Sequence, residues 1–192
     1  MSSQVSGAAR REVNSRQAET VERLLAAGAE ELRAVGSDSL TIRTVAGRAG
    51  VSPATAYTYF ASKNHLFAEL FWRALLTDPQ PAPVGDDAVE RVCGVTRHLT
   101  AMLAASPELA AGVTSALLGT DPDVERLRLR IGSELLGRFR AAVGDGADDV
   151  LVETLALTFS GALLQSGMGL MTYTEMGERL DAVVATIMRG NA

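Results

Sequence analysis

The chain has 192 residues, enough for one or two compact domains with a substantial core, and 47% of them are hydrophobic. Its net charge of −5 argues against nonspecific nucleic-acid binding by the chain as a whole, and a single cysteine, Cys93, excludes an internal disulfide and suits a reducing cytoplasm. Ala and Leu recur at helical spacing with no alternating β-branched runs, so an all-α protein of about nine helices is expected.

The charge is unevenly spread. Residues 1–76 hold nine Lys+Arg against seven Asp+Glu, whereas residues 77–192 hold nine against sixteen. The asymmetry has the sign expected of an N-terminal nucleic-acid-binding region, but it is too small to establish one.

Residues 1–14 are polar, lack periodicity and carry Arg10 and Arg11, which reads as a flexible arm that either reaches into a minor groove or stays solvated. No basic-then-apolar leader pattern is present, so export is not expected. From Ser15 to Val35, Val21, Leu24, Leu25, Gly28, Ala29 and Leu32 keep helical spacing, and Gly36 ends this helix.

Thr41 to Lys63 reads TIRTVAGRAGVSPATAYTYFASK. Thr41 is a good N-cap, and Ile42, Val45, Ala46 and Ala49 share one helical face; Gly50 supplies the left-handed residue that stops the helix. Ser52 then caps a second helix whose first position is Pro53, where a missing N–H costs nothing. Along that helix Ala56 and Phe60 face inward, Ala54, Thr55 and Thr58 face outward, and Tyr57 and Tyr59 flank them roughly 200° apart. Two short helices joined by a glycine turn form a helix-turn-helix, whose second helix enters the major groove with its N-terminal residues, here Pro53, Ala54 and Thr55, nearest the base edges. An αα-hairpin inside a larger helical core is the other reading of the same pattern.

Thr41, Val45, Ala46, Ala49-Gly50-Val51-Ser52, Thr55, Tyr57, Tyr59-Phe60, Ser62-Lys63 and Leu66 together resemble the TetR family of bacterial transcriptional regulators. One position departs from that pattern, Ala56, where the family has a larger aliphatic residue. The resemblance implies an N-terminal DNA-binding domain over residues 15–61 and a C-terminal effector-binding and dimerisation domain over residues 62–192. It places DNA contacts at Arg43 and Lys63. A guanidinium at Arg43 can pair with guanine or grip a phosphate, or simply be solvated; Tyr57 and Tyr59 can each reach a phosphate, unless one is half-buried support. Thr41, Ser52 and Thr58 complete the expected DNA-facing set.

A fourth helix from Ser62 to about Leu76 carries Leu66, Phe67, Leu70, Phe71, Ala74 and Leu75 and is expected to join the two domains. Three prolines in residues 77–85 mark a loop. Asp86-Asp87, Ser106-Pro107 and Asp121-Pro122 each open a further helix, and Cys93 and His98 read as packing residues. Arg126, Arg130 and Glu134 read as solvated charges. Residues 154–174 are uncharged and have to be tested as a membrane span, but Ser160, Gln165, Ser166, four threonines and three glycines favour a buried helix, and no membrane partner is expected. The last two helices, about Asp148 to Met171 and Thr174 to Arg189, look suited to the family's four-helix dimer interface, which assigns Leu157, Gly161, Leu164, Met168, Leu180, Val184 and Ile187 to a homodimer contact.

The implied function is a dimeric repressor on a (pseudo)palindromic double-stranded DNA operator, released by a small-molecule effector, with the fourth helix transmitting the change. Trp72, Leu99, Met102, Leu103, Val113, Leu117, Leu118, Phe139, Phe159 and Met168 are candidates to line an apolar cavity, and the scarcity of charge among the apolar faces favours an uncharged or largely apolar effector. A regulator whose C-terminal half only dimerises or binds protein remains the alternative. An enzyme has little support: His65 and His98 lack metal-ligand spacing with Cys93 or a carboxylate, no phosphate loop or nucleophile motif occurs, and no cofactor is expected.

Overall fold

The computed structural model describes residues 2–78 and 85–190, with side chains from residue 15 onward. Among the described residues there are nine helices and no strand: α1 (Ser2–Ser39), α2 (Ile42–Arg48), α3 (Pro53–Tyr59), α4 (Lys63–Thr77), α5 (Ala88–Ala105), α6 (Pro107–Leu118), α7 (Pro122–Val143), α8 (Asp149–Gly167) and α9 (Tyr173–Arg189).

Their starts follow from local chemistry. Thr41, Ser52, Ser62, Asp87, Asp121, Asp148 and Thr172 each accept a hydrogen bond from a backbone N–H in the first turn of the helix they precede. Pro53, Pro107 and Pro122 occupy first helical positions. Gly36 does interrupt α1, at φ 76° and ψ 172°, and a last short turn follows it. Residues 2–14, expected as part of a flexible arm without periodicity, continue α1, since helix runs from Ser2. No amphipathic face announced it, yet adding residues to an existing helix requires no new nucleation, and residues 2–14 contain no proline.

Two cores form. Leu24, Leu32, Leu40, Ile42, Val45, Ala56, Phe60 and Leu66 fill the first, between α1, α2, α3 and α4. Val92, Val95, Leu99, Val113, Phe139, Leu155 and Met176 belong to the second, built by the later helices, with α9 lying along α5. The expected division after residue 61 falls at the cap of α4, but packing does not divide there: Leu66, Phe67 and Leu70 join the first core, whereas Phe71 and Leu75 join the second. The long apolar face of α4 therefore holds the two halves together. A close approach reinforces this, because a Cβ on Gly112 of α6 would lie 2.8 Å from the Phe67 ring.

α8 is long and apolar enough to cross a membrane by length and composition, with a mean hydropathy of 1.3. Leu151, Val152, Leu155 and Phe159 are nevertheless buried in the second core, which makes one side of α8 a core face. Its other side is not buried within this chain: Leu157, assigned to the dimer contact, is 66% exposed, and Met168, just past the end of α8, is 58% exposed.

Candidate nucleic-acid interface and ligand cavity

The turn is fixed by paired caps. Thr41 Oγ1 accepts from Thr44 N at 3.1 Å while Thr44 Oγ1 accepts from Thr41 N at 3.2 Å. Gly50 adopts φ 67°, and Val51 N donates to Ala46 O at 3.0 Å, closing α2. Ser52 Oγ accepts from Thr55 N at 3.1 Å and lies 2.8 Å from Thr55 Oγ1, so both hydroxyls act in the cap of α3. From α1, Glu31 is buried and receives Arg48 Nε and Nη2, each at 2.8 Å, which ties the end of α2 to the helix behind it.

Ala56 and Phe60 are buried against this frame, and the small alanine is accommodated at 0% exposure. Thr41, Arg43, Ser52, Pro53, Ala54, Tyr57 and Thr58 are exposed, and Thr55 is partly so. The two phenols differ: Tyr57 is 46% exposed, while Tyr59 packs against the first core. Arg43 makes no hydrogen bond or ion pair with any described residue. Lys63 is less free, since Nζ donates to Asp38 O at 3.0 Å and lies 5.7 Å from the Phe67 ring centre, leaving two of its N–H donors unused. The exposed cation, phenol and small residues form one open face beyond α2 and α3.

Where α4 leaves this domain, Ser62 Oγ caps His65 N and donates to Asp121 Oδ2, the cap of α7. That hydrogen bond, followed by the backbone N–H of Asp123, holds the Asp121 carboxyl below its ordinary value of 3.8. Arg73 of α4 pairs with Glu22 of α1 at 2.6 Å and lowers that carboxyl too.

Between α4, α6, α7 and α8 lies a cavity of about 320 Å³. Phe71, Thr114, Leu117, Leu118, Arg128, Ile131, Gly132, Leu135, Phe159, Ser160, Leu163 and Leu164 line it. Of the expected lining only Leu117, Leu118 and Phe159 are present. Leu99, Val113 and Phe139 are close-packed core, and Met102 and Leu103 border a separate void of about 30 Å³. Trp72 lies under the Arg130 guanidinium, 4.4 Å from its ring centre, and Met168 is turned outward. Periodicity located the apolar faces but not the gap between them. Ile131 and Leu135 were legible as one such face, whereas Arg128 carried no sequence signal because a helix-flank arginine is ordinarily solvated.

The assigned dimer residues separate in the same way. Leu157, Gly161 and Leu164 share the exposed side of α8, and Met168, the residue that follows it, is exposed as well. Leu180 and Val184 do not join them: they are 2% and 1% exposed in the chain's own core, and Ile187 is partly buried there. The apolar face of α9 is taken up inside the chain, and its outward residues include Glu178, Arg179, Ala182, Val183 and Thr186.

Residues 24–70 match the family model described as bacterial regulatory proteins, tetR family. An uncharacterized HTH-type transcriptional regulator of Mycobacterium bovis is 45% identical over 179 residues, covering 92% of this chain and 84% of its own, and a Mycobacterium tuberculosis regulator matches equally. Among solved structures, a TetR transcriptional regulator from Rhodococcus sp. RHA1 superposes with a TM-score of 0.76 at 19% identity over 90% of this chain and 96% of that one. The Bacillus subtilis transcriptional regulator FadR in complex with stearoyl-CoA gives 0.57 at 17% identity, over 85% and 97%. Matched over nearly its whole length by relatives that share its helix-turn-helix and its all-helical second half, this chain belongs to the TetR family of DNA-binding transcriptional regulators.

Proposed function

We propose that the chain acts in the cytoplasm as a homodimeric repressor that covers a (pseudo)palindromic operator and is released by a small molecule held between α4, α6, α7 and α8. The open face of α2 and α3 carries this reading, above all Arg43, Ala54, Tyr57 and Thr58, whose side chains point away from a domain that is already packed and capped. Pro53, Ala54 and Thr55 approach base edges; Arg43 pairs with a base or phosphate; Tyr57 and Lys63 grip the backbone, and Thr41, Ser52 and Thr58, whose hydroxyls serve the caps or bond within α3, line the same face. Tyr59 positions α3 from behind.

One recognition helix reads few base pairs, so two related by a twofold axis are needed for useful specificity. The exposed apolar side of α8 supports its use as the dimer contact. Release requires an effector that binds better to a conformation whose recognition helices no longer fit the two half-sites, and DNA then weakens effector binding by the same factor. α4 suits the transmitter role because Phe71 lines the cavity while Leu66 and Phe67 sit in the DNA-binding core. The cavity favours this over a regulator that merely dimerises, and FadR, bound to stearoyl-CoA, is a neighbour in which the same fold holds a ligand.

Selection from a random DNA pool at fixed moderate salt, with wild type and Tyr57→Ala side by side, tests the reading. It expects an enriched inverted repeat that the variant binds on the order of tenfold more weakly, the value of a charge-assisted phosphate bond. No enrichment, with both proteins binding alike, contradicts it.

A further inference from the structure

We infer that the effector is an amphipathic anion, an apolar body bearing one carboxylate-like head held by Arg128; this rests on the reading that the cavity between α4, α6, α7 and α8 is the effector site. Arg128 is the sole charged residue in the described lining. Its guanidinium is fixed at the cavity wall by two bonds to the end of α6, Nε to Leu117 O at 2.8 Å and Nη2 to Gly119 O at 2.6 Å. Nη1 and the second N–H of Nη2 are unused. No carboxylate accompanies it, whereas Arg48, Arg73, Arg97, Arg138 and Arg140 each have one.

The other polar groups of the lining offer a ligand no proton. Thr114 Oγ1 donates to Ala110 O and Ser160 Oγ to Ala156 O, both at 2.8 Å within their own helices, so Arg128 supplies the available donors. The carbonyls at the end of α6 offset roughly half a charge, and the remainder stays at the rim of an apolar space. A neutral occupant would dehydrate that cation without replacing its water, and a cationic one would be repelled. A carboxylate restores the lost bonds in the forked geometry a guanidinium favours, while its apolar part fills a space at the small end of the roughly 300–1,000 Å³ typical of ligand sites. Of the uncharged or largely apolar effector expected from the scarcity of charge in the apolar faces, this keeps the apolar body and adds one charged head.

Calorimetric titration of the full chain with decanoate and with decanol tests the inference. Wild type is expected to bind decanoate on the order of ten- to hundredfold more tightly than decanol. Arg128→Gln should bring that ratio close to one while keeping decanol binding, and Arg128→Lys should keep the preference. Because each variant is judged by its own ratio, lost stability from the missing α6 bonds does not imitate the result. Gly132→Leu, placed where a Cβ meets nothing within 4 Å, should fill the cavity and remove both affinities from a chain that still melts cooperatively. Equal affinity for the two probes, or an Arg128→Gln chain that keeps the preference, overturns the anion and leaves the cavity reading standing. Failure of both probes to bind wild type overturns the two together.

Discussion

Arg48 shows how a single contact fixes α2 against α1. Its partner Glu31 is 7% exposed on α1, so removing the guanidinium strands a buried carboxylate. Arg48→Ala is therefore expected to lower stability by about 2 kcal/mol, and the milder Glu31→Gln by less, measured by urea unfolding. Equal and negligible losses would mean that the pair only decorates the surface. Sequence spacing showed that Tyr57 and Tyr59 lie on opposite flanks of α3, but it could not say which one faces the core. That choice depended on where Ala56 and Phe60 anchor the helix, a tertiary fact that turns Tyr59 inward. Arg128 was less legible still, because its proposed role depends on α6 ending beside it and on the space left between four helices.

At the scale of elements, beginnings were legible and partners were not. Cap residues and prolines act within one turn, so Thr41, Ser52, Pro53, Asp121 and Pro122 mark their helices from sequence alone. The apolar stripe of α9 marked a face to be buried, but period alone cannot distinguish the chain's own α5 from a second copy. Helix contacts also set the next two expectations. Gly112→Ala pushes a methyl into the Phe67 ring where α6 crosses α4, and after the gain in helix propensity a net loss of about 1–2 kcal/mol is expected by thermal melting. An unchanged or raised melting temperature would show that the ring moves freely. Asp121 joins the caps of α4 and α7, and its folded carboxyl lies below the unfolded value. Its stabilisation is complete at neutral pH and disappears as the pH falls through that lowered value. The stability gap between wild type and Asp121→Asn should thus be constant near neutrality and close on acidification; a gap that widens in acid would reverse the assignment.

For the whole molecule, α4 decides the architecture, since one helix contributes to both cores and borders the cavity. This unity was only half visible beforehand: the wide apolar face of α4 showed that it joins two domains, not that each half would enter a different core. On the proposed reading this shared helix carries a small rearrangement around Phe71 to α2 and α3, and two tilted domains in a dimer then lose register with DNA together. The proposed recognition therefore requires two chains joined through α8. Its most direct test is sedimentation of wild type and Leu157→Glu with one intact operator and with a single half-site. Leu157 is 66% exposed in the isolated chain, so the charge should leave folding intact while opposing an apolar contact between copies. We predict two wild-type chains per operator, and a monomeric Leu157→Glu that still binds the half-site but binds the intact operator on the order of a hundredfold more weakly. A variant that remains dimeric, or a monomer that holds the intact operator as tightly as wild type, would contradict it.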